Sequence, residues 1–496
     1  MLDHYLSNNP QAVLHSLQEI RTFVMQEGEQ LFDRWRLQIE REAFTPGALN
    51  LAHYLALRRQ DLRELQLALV PWGLSSLGRI ESRVLSNLDA VIVTLGAVCQ
   101  ADPHTLPARP PLETFFEGDR LLTLNTDEVF GESPRDRQVR IMVTMPTEAA
   151  DNYHFVRKLL KRGMNCIRIN CAHDQPETWK KIINHLKKAE QELNRPCKVF
   201  MDLSGPKVRL KTVILPRHKR RLNKGDLLRL SLDDPQQSDD KIFQASCYVP
   251  EIFTQVKAGD KVWIDDGHIG LIVETVNPEK LDLRVMDARP KGEKLRSDKG
   301  INFPDSVLHL NSLSEKDQDD LDFVVDHADI IGYSFVQSAQ DILTLQKELQ
   351  KRLGQKWQEK AIIAKIETLE AIRNLPEIIV QAAGKQPFGV MIARGDLAVE
   401  IGYQRLAEMQ EEILWICQSA QVPVIWATQV LENLVKRSVP SRAEMTDAAM
   451  SERAECVMLN KGEFIGEAVT ILDDVLIRME SHQSKKSPQL RALHSW

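Results

Sequence analysis

From Val139 onward, short β-type runs alternate with helical stretches eight times, and this alternation constrains the fold more than any other feature of the chain. The runs are Val139–Thr144, Cys166–Asn170, Lys198–Leu203, Ile330–Phe335, Ala361–Ile366, Gly389–Ala393, Pro423–Ala427 and Cys456–Leu459. Repeated βα units put strands in parallel with helical crossovers, and eight such units close a barrel. An open doubly wound sheet would carry a glycine-rich first turn, which Thr144-Met145-Pro146-Thr147 is not. Ser314 followed three residues later by Asp317 reads as a capping box opening one of the helices.

One passage breaks the alternation. From Lys207 to Ser297 the apolar residues alternate singly, the turn signals are Lys224-Gly225-Asp226, Ala258-Gly259-Asp260 and Asp265-Asp266-Gly267, and no helix stands out. The expected fold class is therefore α/β: a (β/α)8 TIM barrel with a small β-barrel domain inserted after strand 3, plus an N-terminal helical region. The expected boundaries are 1–102 for that helical region, 103–138 for a proline-rich connector, 139–206 and 298–482 for the barrel, 207–297 for the inserted lid and 483–496 for a tail. An insertion at a strand's C-terminal end stands over the face where barrel enzymes do chemistry.

Composition narrows the function classes. With 43% hydrophobic and 27% charged residues in 496, the chain is globular, and a net charge of −6 gives no general reason to expect nucleic acid or a membrane as partner. Seven cysteines, widely spaced and without a CxxC pair, suggest free thiols in a reducing compartment. No secretory signal opens the chain, and no run approaches the roughly 18 apolar residues of a membrane span. The expected location is cytoplasmic. The basic run Arg217–Arg221 reads as a solvated hairpin, because no aromatic platform accompanies it.

Polar residues at barrel strand ends are the ones to question: Arg168, Asn170 and His173, then Asp202, Ser334, Lys365, Glu367, Arg394, Asp396 and Thr428. Lys365 and Glu367 flank Ile366, so the period of two puts both on one side of a strand. Asp396 follows Arg394-Gly395 at a strand-to-helix turn, where backbone N–H groups favour an anion. Two carboxylates from neighbouring strands suit a divalent cation that shares its coordination with substrate oxygens. Arg168, Lys365 and a metal around an anion would make a phosphoryl-transfer clamp. On spacing alone, kinase and aldolase-type chemistry both remain open.

The stretches RINCAH (Arg168–His173), DLSGPKVR (Asp202–Arg209), WIDDGHIGL (Trp263–Leu271), KGINFP (Lys299–Pro304), AKIETLEAI (Ala364–Ile372), MIARGDLAVEI (Met391–Ile401), ATQVLENL (Ala427–Leu434) and SRAEMTDAAM (Ser441–Met450) occur in this order. From about Val139 to Ser481 the chain resembles the pyruvate kinase family. The resemblance implies transfer of the phosphoryl group of phosphoenolpyruvate to ADP, giving pyruvate and ATP. It implies Mg²⁺ or Mn²⁺ on Glu367 and Asp396, Lys365 neutralising the phosphoryl group and the enolate, and Arg168 holding the phosphate. Gly395, Asp396, Ser334 and Thr428 would bind substrate, with Thr428 also on the face where the enolate is protonated. Arg168, Asn170, His173, Arg209, Lys299 and Asp266 would serve the nucleotide. Lys207, with Leu203, resembles relatives that dispense with K⁺, a tethered ammonium replacing the monovalent cation.

The chain also departs from that pattern. The first-strand loop is VTMPTEA, Thr368 and Ala371 replace an asparagine and a glycine, Gln337 replaces an arginine, and the last strand runs into LNKGEF (Leu459–Phe464). These changes support a second reading, a non-catalytic member that binds nucleotide or phosphoenolpyruvate as a sensor. The family's C-terminal effector domain is expected to lack a counterpart, so a dimer, if formed, would use barrel faces or the N-terminal helices.

Overall fold

A computed structural model describes residues 9–134, 136–236, 242–485 and 487–488. The ends of the expected N-terminal region and tail, residues 1–8 and 489–496, lie outside the described residues. Eight parallel strands close a barrel: β1 (Arg140–Thr144), β2 (Cys166–Asn170), β3 (Lys198–Asp202), β4 (Ile330–Tyr333), β5 (Ala361–Ile366), β6 (Phe388–Ala393), β7 (Val424–Ala427) and β8 (Cys456–Leu459). Sequential neighbours pair from β1 to β8, and β8 returns to β1 with Arg140 beside Cys456.

Local chemistry explains the crossovers. Ser314 and Asp317 exchange both capping-box hydrogen bonds at the start of Glu315–His327, and Ser441 and Glu444 do the same for Arg442–Met450. The sequence reads as one helix over Leu369–Ala382. The chain instead forms Leu369–Arg373 and Leu375–Ala383, because Pro376 lacks the N–H and crowds the preceding turn.

Inside the barrel, Met142, Cys166, Phe200, Ile330, Ile363, Met391, Ile425 and Met458 form the lower packing layers. Phe200 crosses the interior so closely that a Cβ at Gly332 would lie 2.5 Å from its ring. Above these layers β2, β3 and β5 turn Arg168, Asp202 and Lys365 toward the C-terminal mouth. The floor is closed from outside the barrel: Val129 and Phe130, at the end of helix Glu117–Phe130, pack against the same apolar layer.

Residues after β3 form a seven-stranded sheet over the mouth, with its own apolar core around Leu228, Phe243, Val262, Leu271 and Leu283. It contains one short helix, Glu251–Gln255, and Ile301–Asn302 return to pair with its strand Lys261–Ile264. The N-terminal helices Pro10–Arg36, Thr45–Arg58 and Val84–Val98 share a core of Val13, Leu17, Leu57, Leu88 and Ile92, against which barrel residues Trp415 and Ile416 pack. Asn50 Nδ2 ties the two together by donating to Ser419 O at 2.7 Å.

The helices Pro10–Arg36 and Thr45–Arg58 approach at Gly28, where a Cβ would sit 2.4 Å from His53 Cδ2. Gly28→Ala is expected to cost about 1–3 kcal/mol by overpacking, read from denaturant unfolding. Burial pushes His53 from 6.5 down to about 4. Across that window the unfolded chain binds a proton that the folded chain does not, so stability rises with pH and is lost as the pH falls. Melting temperatures between pH 7 and 4.5 should show this slope, and His53→Leu should flatten it.

Candidate active site

The centre of the barrel mouth is a buried ionic cluster around Asp202, which is 1% exposed. Arg168 Nε donates to Asp202 Oδ2 at 2.9 Å, while Lys365 Nζ lies 3.3 Å from Oδ1 of the same carboxylate. Arg168 also reaches across to Thr144 on β1, donating to its Oγ1 at 3.2 Å. Lys365 Nζ lies 3.3 Å from Glu367 Oε1 and donates to Ser334 Oγ at 2.6 Å. Ser334 in turn donates to Leu203 O at 2.7 Å. Burial alone would push the Lys365 ammonium down, but Asp202 and Glu367 outweigh it and hold its pKa above the ordinary lysine value. Burial would raise Asp202 too, yet Lys365 and Arg168 bring it below the usual carboxylate range.

Glu367 faces two ways. Its Oε2 accepts the Phe335 N–H at 2.6 Å, and burial together with the Asp396 charge raises its pKa. Lys207, from the lid hinge, donates to Asp396 Oδ1 at 2.6 Å. Beside Asp396, the Gly395 N–H donates to Thr428 Oγ1 at 2.8 Å. Thr428 has φ +64°, a costly conformation for a β-branched residue. Arg394 helps hold it there: Nη2 donates to Thr428 O at 2.7 Å, Nε donates to Ala427 O at 2.8 Å, and the guanidinium grips Asp447.

On the β1–β2 side, Thr144, Arg168, Asn170, His173 and Lys461 line a cleft of about 320 Å³. Asn170 Oδ1 accepts the Ala172 N–H at 3.1 Å. Burial lowers the His173 pKa, and the Lys461 and Arg209 charges add to that effect. Arg209 and Lys299 come from the two chain segments that connect lid and barrel: Arg209 Nη1 donates to Asp298 O, beside Lys299, at 2.9 Å, and Lys299 Nζ is 2.6 Å from Asp265 Oδ1 in a lid turn. Asp266 sits next to Asp265 in a lid turn with φ +51°.

Strand-end reading picks out Asp202 without giving it a role, and passes over Asp447 and Lys461. Asp202 ends β3 and lies inside DLSGPKVR, which was the available signal; its pairing with two other strands was not visible. Asp447 lies on a helix, and Lys461 in a loop that departs from the family's usual text.

A family model described as pyruvate kinase, barrel domain, matches residues 136–469. The chain belongs to the pyruvate kinase family. It is 32% identical over 346 residues to a pyruvate kinase of Debaryomyces hansenii, covering 66% of this chain and 64% of that protein. It is 32% identical over 373 residues to the human pyruvate kinase PKLR, covering 72% of this chain and 61% of that one. A Methylorubrum extorquens pyruvate kinase is 31% identical over 353 residues, covering 70% of this chain and 69% of its own length. The matched region thus spans less than two thirds of the length of the first two relatives. The pyruvate kinase barrel match includes all eight strands and most of the residues described above.

Removing Asp202 from this family member would leave two buried cations without their shared carboxylate. Asp202→Ala is expected to cost about 3–5 kcal/mol, read from urea unfolding. A cost below about 1 kcal/mol would show that Arg168 and Lys365 are satisfied without it.

Proposed function

We propose that the chain transfers the phosphoryl group of phosphoenolpyruvate to ADP. The P–O bond to the enol oxygen breaks, the phosphoryl group joins a terminal β-phosphate oxygen of ADP, and the enolate takes a proton at carbon to become pyruvate. The observation that carries this reading is Lys365, buried at the barrel mouth beside Glu367, with Arg168 one carboxylate away. An ammonium held in a site of low dielectric is well placed to neutralise charge that develops as the phosphoryl group leaves.

The donor set fits a divalent cation. Among the described residues no group of three or more His, Cys, Asp or Glu gathers into a metal cage. Two carboxylates, one with its pKa raised by burial and by the charge of the other, suit an oxygen-seeking ion that shares substrate oxygens. Glu367 and Asp396 would hold Mg²⁺ or Mn²⁺, which when bound supplies positive charge to the oxygens of phosphoenolpyruvate. Arg168 would orient the phosphate. Gly395 would offer its N–H to the substrate carboxylate once Thr428 Oγ1 yields it, and Ser334 keeps Lys365 aimed. Thr428 lies on the face proposed for enolate protonation. Asn170 and His173, which line the β1–β2 cleft, would serve ADP together with Arg209, Lys299 and Asp266. Lys207 supports independence from K⁺, because its tethered charge already stands 2.6 Å from Asp396.

The test is pyruvate formation from phosphoenolpyruvate and ADP with Mg²⁺, in Na⁺ and in K⁺ buffers. Turnover should change by less than about 2-fold between them, and Lys365→Met should lose at least about 10²-fold in kcat. A requirement for K⁺ would overturn the Lys207 assignment. Tight ADP or phosphoenolpyruvate binding without turnover would replace catalysis with the sensor reading.

A further inference from the structure

Sequence alone leaves RHKRRLNK (Arg217–Lys224) as a solvated hairpin, but folding of the lid sets a second basic segment beside it. That segment is RPKGEKLR (Arg289–Arg296), and the two run antiparallel through the bridge of Leu222 and Glu293. Each of these two residues donates its backbone N–H to the other's carbonyl at 2.8 Å. Arg221 Nη1 also donates to Gly292 O at 2.8 Å. Gly292 has φ +72°, and a Cβ there would lie 3.0 Å from Arg221 Cβ, so the glycine permits the close approach.

Between them the two segments hold nine Lys and Arg and a single carboxylate, Glu293. Part of that charge is already engaged: Arg289 pairs with Glu293, and Lys219 Nζ lies 2.5 Å from Asp226 Oδ1. Arg220, Lys224, Lys291, Lys294 and Arg296 make no ion pair among the described residues, and all five are exposed. Gathering unneutralised cations on adjoining segments costs folding free energy through mutual repulsion, which a polyanion would relieve. The charge is also segregated along the chain. The lid, 207–297, carries 18 Lys and Arg against 14 Asp and Glu, in a protein whose net charge is −6.

The surroundings select among polyanions. Neither segment contains Phe, Tyr or Trp, and Leu222 and Leu295 are buried. A protein partner would look for an aromatic or apolar anchor at the centre of its interface. A single strand would stack its bases on aromatic rings. A polybasic patch with no acyl chain or apolar wedge holds a membrane only weakly. A duplex backbone needs none of these, because its phosphates are met by charge and shape. Two adjoining rows of cations suit the A form, whose narrow major groove brings the phosphates of both strands together.

We propose that the lid face formed by Arg217–Lys224 and Arg289–Arg296 binds the phosphate backbone of duplex RNA without reading its sequence. None of the five unpaired cations belongs to the candidate active site, so this binding is separate from the proposed reaction.

The test is fluorescence anisotropy of a labelled RNA duplex of roughly 20 base pairs, titrated with the full chain. Saturable binding is expected with a Kd of about 10⁻⁶ M at about 100 mM salt, weakening by about 10²-fold between about 50 and 200 mM. Arg220→Glu combined with Lys294→Glu should weaken binding by at least about 10-fold and flatten the salt dependence, with circular dichroism checking the fold. Lys224→Glu combined with Lys291→Glu, on the same face, should do likewise and serves if the first pair does not fold. Binding is read without turnover, so its outcome is independent of whether the chain transfers phosphoryl groups. Absence of saturable binding, or unchanged affinity in the charge-reversed variants, would overturn the proposal. So would a single strand or a DNA duplex of the same length bound as tightly, polyglutamate competing as well as unlabelled duplex, or preferential capture by phosphatidylserine vesicles.

Discussion

The carboxylate of Asp202 is the point on which the barrel mouth depends. It is almost fully buried, and it meets Arg168 from β2 and Lys365 from β5. Desolvating three charges is expensive, and the arrangement holds only because each finds a partner. Glu367 completes the balance at Lys365, and Asp396 and Lys207 balance one another a step further out. Under the proposed function, a phosphorylated acid entering this neutral cluster adds negative charge. Under the same proposal a divalent cation arriving with it would keep the sum in order, between two carboxylates close enough for the Asp396 charge to act on Glu367.

The remainder of the molecule holds this cluster in place. Below, Phe130 and the interior layer from Met142 to Met458 fill the barrel, so the polar residues can point only upward. Above, the lid hinge delivers Lys207 to Asp396, while Arg209 with Asp298 and Lys299 with Asp265 tie the two hinge segments to each other and to the lid. On one side, Asp447 grips Arg394, which holds Thr428 in a backbone conformation it would not adopt unaided. The segment SRAEMTDAAM therefore has a structural task at the site although its own side chains lie on a helix. On the outer wall, the N-terminal helices share a core with Trp415 and Ile416, so they form part of the barrel's packing rather than a free appendage.

Much of this was readable before any coordinates. The eight βα units follow from hydrophobic period and turn residues, which are local signals. The break at Lys207 follows from a change of period, and Ser314 announced its helix because a capping box is complete within four residues. Proline 376 was equally visible, yet the two-helix break it causes was masked by the apolar residues on both sides of it. Helix Glu117–Phe130 was obscured by the prolines around it, and its role as barrel floor depends on residues hundreds of positions away.

Side-chain alternation put Lys365 and Glu367 on one side of a strand, and spacing alone said that two carboxylates came from adjacent units. Those facts belong to the sequence because they depend on period two and on strand order. The sequence could not say that Asp202 would stand between Arg168 and Lys365, or that Lys207 would reach Asp396. Each of those depends on closing the ring and folding the lid back over it. Closure converts separations of 34, 163 and 189 residues into hydrogen-bond distances, and no local pattern encodes a distance of that kind.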